Sequence, residues 1–214
     1  MNFWKFLNLL ETSSLYFSNA ENLGDNNEGR IPEVVYQMMI EQDNENGNTN
    51  NQDTYEYIEN NLRKETLISS WTYHDDESYA LWKMYAKDKM GIAIKTDIPS
   101  LRESFNETDR LIYIGEVKYF DPKSFHYSTT NLYYPFLVKL KYYSFENELR
   151  CITSCTQDEL KENKLVKVDL NKLIKEVYIS PNSKPEFKKL IELLSQTYNV
   201  NFKVNFSKVN DKWL

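Results

Sequence analysis

Glu146, Glu148 and Arg150 recur at alternate positions in Phe145-Glu146-Asn147-Glu148-Leu149-Arg150-Cys151-Ile152-Thr153. If this stretch is a strand, its period of two puts Glu146, Glu148, Arg150 and Ile152 on one face, with Leu149 and Cys151 on the other. Such a face is either a solvated sheet edge or a polar site where the guanidinium offsets two carboxylates. In a site, a carboxylate held beside a developing cation stabilises it, and a second can orient the first or accept a proton. Alternatively, Glu146 and Glu148 join Asp25 and Glu28 as oxygen ligands for Mg²⁺, with Lys139 contacting phosphate. Asp25 and Glu28 lie in the polar loop Asn19–Arg30, where turn formation is the simpler local account.

These groups need elements to hold them. The densest local signal is Ser69–Thr96, which reads as strand, helix, strand. Leu67 to Tyr73 is β-branched, aromatic and small and stops at His74-Asp75-Asp76. A helix then begins with acidic residues in its first turn and runs to Met90-Gly91. Leu81, Trp82, Met84 and Tyr85 fall on one broad face of that helix, and Glu77 sits at the edge of it. Trp71 and Tyr85 offer surfaces for a flat ring, with Glu77 as a polar group nearby, unless the segment is simply a core helix with a rim glutamate.

Elsewhere, helical spacing predicts helices from Phe3 to Thr12, from Pro32 to Glu41, from Tyr55 to Arg63 or Lys64, and from Pro185 to Tyr198. Asn131 to Tyr143 also reads as a helix, with Leu132, Phe136, Leu140 and Tyr143 on one face and Lys139 beside that stripe. Strands are expected at 15–18, 111–120, 165–168, 176–180 and 200–206. Residues 43–53, DNENGNTNNQD, hold too little apolar surface to order themselves and read as a mobile loop. The whole pattern is α+β: a single mixed domain over 1–214, with a largely antiparallel sheet core flanked by helices.

Composition narrows the chemistry. The net charge of −6 argues against a dedicated nucleic-acid-binding module. Five glycines cannot supply a phosphate cradle, and neither a dinucleotide fingerprint nor a P-loop is present. Cys151 and Cys155 lack neighbouring histidines and read as buried free thiols, which suits a reducing cytoplasm. No stretch is long and apolar enough to span a bilayer, and the N-terminus lacks the features of a signal peptide. A cytoplasmic protein without membrane contact is the expectation.

Several of these features line up in order: Leu15-Tyr16-Phe17-Ser18, Asp25 and Glu28-Gly29; Ser70-Trp71, Glu77, Trp82, Tyr85 and Gly91; Lys139; Glu146-Asn147-Glu148-Leu149-Arg150; Ile179-Ser180-Pro181. In that order they resemble the bacterial and phage family called domain of unknown function 2971, over essentially the whole chain. At the first motif the family commonly carries a proline after the aspartate, whereas Asp25 is followed by Asn26. The resemblance makes Asp25, Glu28, Glu77, Lys139, Glu146, Glu148 and Arg150 members of one pattern, and a shared polar cleft accounts for so many charges economically. It also implies a toxin, phage-defence or counter-defence setting.

The strand order is similar to that of ADP-ribosyltransferases, which bind nicotinamide adenine dinucleotide (NAD) without a Rossmann turn. Early Tyr16-Phe17-Ser18, middle Ser69-Ser70-Trp71-Thr72 and late Glu146-x-Glu148 match that layout, an analogy at the level of fold. It implies Glu148 as the group facing the oxocarbenium-like ribose and Glu146 as its orienting partner or acceptor base. Arg150 or Lys139 would contact the diphosphate, and an acceptor protein or nucleic acid would follow. The other readings are the Mg²⁺-dependent nuclease or phosphoesterase and a non-enzymatic module that binds a nucleotide or a protein.

Overall fold

The computed structural model describes residues 1–25, 27–45, 47, 56–86, 89–121, 131, 133–156, 159 and 164–209. In chain order the strands are β1 (Ser14–Tyr16), β2 (Ser18–Asn19), β3 (Thr66–Thr72), β4 (Ile92–Lys95), β5 (Tyr113–Glu116) and β6 (Lys118–Phe120). They continue with β7 (Val138–Leu140), β8 (Glu148–Ser154), β9 (Leu165–Lys167), β10 (Glu176–Ile179) and β11 (Lys203–Phe206). Helices are interspersed among them, and every strand pair is antiparallel except β10–β11 and β6–β7. The fold is therefore α+β with largely antiparallel sheets. Among the described residues no helix is long and apolar enough to cross a membrane.

The chain packs as two compact units. The first combines Met1–Tyr16, His74–Arg110 and Leu165–Leu214; the second combines Phe17–Tyr73 and Leu111–Lys164. In the first unit, Asn2 caps the helix Phe3–Thr12 by accepting the Lys5 N–H at 3.0 Å. That helix buries Phe6, Leu9 and Leu10. The helix Pro185–Thr197 carries the chain from β10 to the parallel strand β11, and Phe187 and Ile191 are its buried residues. β4 pairs with the other edge of β10.

The second unit is built on a four-stranded antiparallel sheet in the order β2-β3-β8-β5. Ala20, Leu62, Ile68, Phe136 and Ile152 form its apolar cluster. Residues opposite one another across the ladder share a face. Ile68, Ser70 and Thr72 of β3 thus share a face with Ile152, Arg150 and Glu148 of β8, while Trp71 and Leu149 share the other. At Val117 the chain changes partner. The Val117 N–H donates to the Glu148 carbonyl at 2.9 Å, and the next N–H, of Lys118, donates to the Leu137 carbonyl at 2.7 Å. That switch lays β6 against β7.

Four expectations are corrected. Residues 131–143 do not form a helix: a 3₁₀ turn at Tyr134–Phe136 leads into β7, and a second spans Lys141–Glu146. Pro135 has no N–H to give a helix, and Val138-Lys139-Leu140 pairs with β6 instead. The helix after β3 is shorter, Tyr79–Tyr85, with Ser78 as its cap, so Asp75, Asp76 and Glu77 precede it. Trp82 is its buried residue, whereas Met84 and Tyr85 are exposed. The helix Glu33–Glu45 runs into the Asn-rich stretch, the rest of which lies, Gly47 apart, outside the described residues.

Gly29 has φ 70°, and a Cβ there would lie 2.2 Å from Cε1 of Phe136. A Gly29→Ala variant is expected to lose about 2–4 kcal/mol, from backbone strain and overpacking together. Urea denaturation measures it; a loss below about 1 kcal/mol would mean that the phenyl ring simply moves aside.

Candidate functional site

The charged face of β8 is not a solvated edge. Glu28, Lys139, Glu146, Glu148 and Arg150 are all buried and all in the second unit, and Arg150 is only 1% exposed. Its Nη1 and Nη2 donate to the two oxygens of Glu28 at 2.6 and 2.8 Å, a bidentate fork. Its Nε donates to Glu148 Oε2 at 2.8 Å, and Nη1 also donates to the Phe136 carbonyl at 2.8 Å. The Lys139 ammonium is the second hub. It donates to Glu146 Oε2 at 2.6 Å and Glu148 Oε1 at 2.8 Å, and it lies 3.3 Å from Glu28 Oε1. The Tyr143 ring centroid is 4.5 Å from the same nitrogen.

Local structure explains each position. Asp25 Oδ1 accepts the Asn27 N–H at 2.9 Å, an Asx turn, and the Asp25 carbonyl accepts the Glu28 N–H at 3.1 Å. Arg63 Nε donates to the Glu28 carbonyl at 2.7 Å. The loop is thus held from both sides while Glu28 reaches Arg150. Asn147 takes the left-handed conformation, φ 40°, between the 3₁₀ turn and β8, as asparagine tolerates. Glu146 therefore does not belong to the strand, yet its carboxylate meets Glu148 at the same ammonium. The Tyr119 hydroxyl accepts the Glu148 N–H at 2.9 Å.

The electrostatics divide the two glutamates. Burial raises the proton affinity of Glu148, but the hydrogen bonds and charge of Arg150, with bonds from Glu146 and Lys139, outweigh it and hold the carboxyl at about 2. For Glu146, burial and the neighbouring Glu148 raise the pKa against the pull of Lys139. Burial alone would lower the Lys139 pKa; Glu146, Glu148 and the charge of Glu28 turn the shift upward. Arg150 is likewise penalised by burial and more than compensated by Glu28 and Glu148. Three carboxylates thus face two cations, and Glu146 is the one whose proton affinity is raised.

The sequence pattern thus meets in five of its seven charged members. Asp25 sits beside Glu28 in the chain but is committed to its own turn. Glu77 belongs to the first unit, where its oxygens accept the indole N–H of Trp82 and the N–H of Lys208, both at 2.9 Å. Tyr16 and Tyr85 are also in the first unit and are exposed. Trp71 is in the second unit but on the sheet face opposite Glu148 and Arg150, so it does not line their site. Arg150, with Nε, Nη1 and Nη2 all engaged, has no free side to offer a diphosphate, and the three donors of Lys139 all face carboxylates.

The ligand set expected for Mg²⁺ is divided: Glu28, Glu146 and Glu148 surround the Lys139 ammonium, which occupies the point they share. Among the described residues no group of three or more His, Cys, Asp or Glu has the arrangement of a metal site. Cys151 and Cys155 are buried and form no disulfide, and burial pushes Cys151 up to about 12. His126 lies outside the described residues. Sequence reasoning missed Tyr119, Tyr143 and the Phe136 carbonyl. The alternation Val138-Lys139-Leu140 after Pro135 was the available signal for the strand that carries Lys139. No protein family, curated protein or solved structure matches the chain.

Glu148 titrates below the ordinary carboxylate range, so its stabilisation is complete above about pH 4.5 and is lost as the pH falls towards about 2. Glu146, shifted upward, contributes in the opposite sense and loses its contribution as the pH rises through its raised pKa. Urea denaturation across that acid range is expected to show a steeper loss for wild type than for Glu148→Gln; parallel slopes would mean that Glu148 gains nothing from its partners. Arg150→Met and Glu28→Gln are each expected to cost about 3–5 kcal/mol, and the double variant clearly less than their sum. Additive losses would show that the two side chains do not act as a pair.

Proposed function

We propose that the second unit cleaves the nicotinamide–ribose bond of NAD, as an ADP-ribosyltransferase or glycohydrolase, with Glu148 beside the ribose. What supports the reading best is the convergence of Glu146 and Glu148 on one positive charge, 2.6 and 2.8 Å away, beside the Tyr143 ring. Groups that cradle an ammonium in this way also suit the positive charge that develops on ribose as nicotinamide leaves. The glycosidic bond breaks with its electron pair departing on nicotinamide, and a nucleophile or water then bonds to the ribose carbon. Glu146, the stronger proton acceptor of the pair, takes the proton that the nucleophile loses. Lys139 is the counter-ion of the resting site in this scheme. The strand layout, similar to that of ADP-ribosyltransferases, motivates the same choice, and a toxin or phage-conflict setting is proposed only from the likeness of the motif order to domain of unknown function 2971.

One observation favours a second reading. All the nitrogens of Lys139 and Arg150 are engaged inside the cluster, as in a network that fixes the fold of a binding module. Two experiments separate the readings. Calorimetry with NAD is expected to show saturable binding by wild type, and mass spectrometry nicotinamide release or a mass shift on an acceptor. Glu148→Gln should retain binding and lose turnover by a factor on the order of 100–1,000. Wild type that neither binds nor turns over the dinucleotide would falsify the enzyme reading and leave the module.

A further inference from the structure

Where β5 ends, its ladder against β8 is only half made. A hydrogen-bonded pair of an antiparallel ladder exchanges two bonds, one in each direction. The Val117 N–H donates to the Glu148 carbonyl at 2.9 Å, but the Glu148 N–H does not return to Val117. It donates instead to the Tyr119 hydroxyl at 2.9 Å, because the chain has already turned to pair with β7. A phenol oxygen thus stands where a strand carbonyl would normally accept.

A carbonyl only accepts, whereas a hydroxyl also has a proton to give. Among the described residues the Tyr119 proton has no acceptor. Burial, with the charges of Glu148 and Glu146, raises the Tyr119 pKa against the pull of the Glu148 N–H and Lys139, so the hydroxyl keeps that proton. The bond it accepts from Glu148 polarises it and strengthens it as a donor. Tyr119 is half-buried, and the parallel register sets it beside Lys139 on one face of the β6–β7 pair. The nitrogens of Lys139 and Arg150 are already committed to the three glutamates. Among the described residues of the cluster, Tyr119 is therefore the donor left for a bound molecule. It is anchored on Glu148, the residue that also supplies an acceptor.

We infer, on the NAD reading proposed above, that Tyr119 orients the substrate by donating its hydroxyl proton to the ribose hydroxyl next to the reacting carbon. That hydroxyl accepts from Tyr119 and donates to a glutamate oxygen, so it matches the site at both ends. A substrate without it leaves the phenol proton unpaired.

Nicotinamide release by the full chain tests this, with NAD and with the analogue lacking the 2′-hydroxyl of the nicotinamide ribose. Tyr119→Phe keeps the ring and is expected to lower kcat/KM for NAD about tenfold relative to wild type. With the analogue the difference between the two proteins should shrink to about twofold or less, because the hydroxyl that Tyr119 serves is already gone. Taking the ratio cancels the intrinsic reactivity of the analogue and any loss of support for the Glu148 N–H. The same factor lost on both substrates would reduce Tyr119 to a prop for the strand and overturn its assignment alone. Calorimetry on wild type should show NAD bound about five- to tenfold more tightly than the analogue. Equal affinities overturn the contact whether or not the variant folds. Wild type that releases no nicotinamide overturns the NAD reading and the role of Tyr119 together.

Discussion

A guanidinium buried to 1% exposure is the constraint around which the second unit is arranged. Such a cation is tolerated only with its N–H groups paired, because an uncompensated buried charge costs several kcal/mol. Each partner of Arg150 places a demand on distant chain. The Glu28 carboxylate requires the loop before it to turn tightly, and Gly29 supplies the left-handed residue that lets the loop pass Phe136. The Phe136 carbonyl requires the short turn that Pro135 favours. Across the sheet Arg150 faces Ser70 on one side and Gly115 on the other, and Leu137 fills the space that a Gly115 side chain would take.

Lys139 and Arg150 do different work within this arrangement. The planar fork of arginine fixes Glu28 and Glu148 in direction as well as distance. The ammonium of lysine is a point charge with free rotation, so it can be shared among three oxygens that approach from different elements. The result is one rigid hub and one adaptable hub joined through Glu148. The adaptable hub is the less deeply buried of the two, Lys139 at 8% exposure against 1% for Arg150, and Glu146 and Tyr143 lie against it.

Much of the fold was legible because its signals are local. Apolar spacing and caps located the helices Phe3–Thr12 and Pro185–Thr197, and alternation located β3, β4, β10 and β11. The grouping of Glu28, Lys139, Glu146, Glu148 and Arg150 followed from the order of motifs. What failed was long-range or ambiguous. Leu132, Phe136 and Leu140 have a helical spacing that Pro135 overrides, and the parallel partner of β7 is not encoded nearby. Trp71 reads from the sequence as a ring surface in the cleft that holds Arg150, but the face of a strand is decided by cross-strand register. Glu77 looked like a site carboxylate until Trp82, five residues on, and Lys208 proved to be its partners.

The Arg150–Glu28 pair joins positions 122 apart in sequence. Between them the chain leaves the second unit at Tyr73, builds His74–Arg110 of the first unit, and returns at Leu111. As the chain is made, Glu28 is therefore present, hydrated and unopposed, long before its counter-charge exists. The central strand β8 is the last strand of its sheet to be synthesised and carries that counter-charge with it. High separation between contacting residues slows folding, since the loop must close before the contact is made. Completion of the second unit is thus a late, cooperative event in which the middle strand enters and two charges lose their water together.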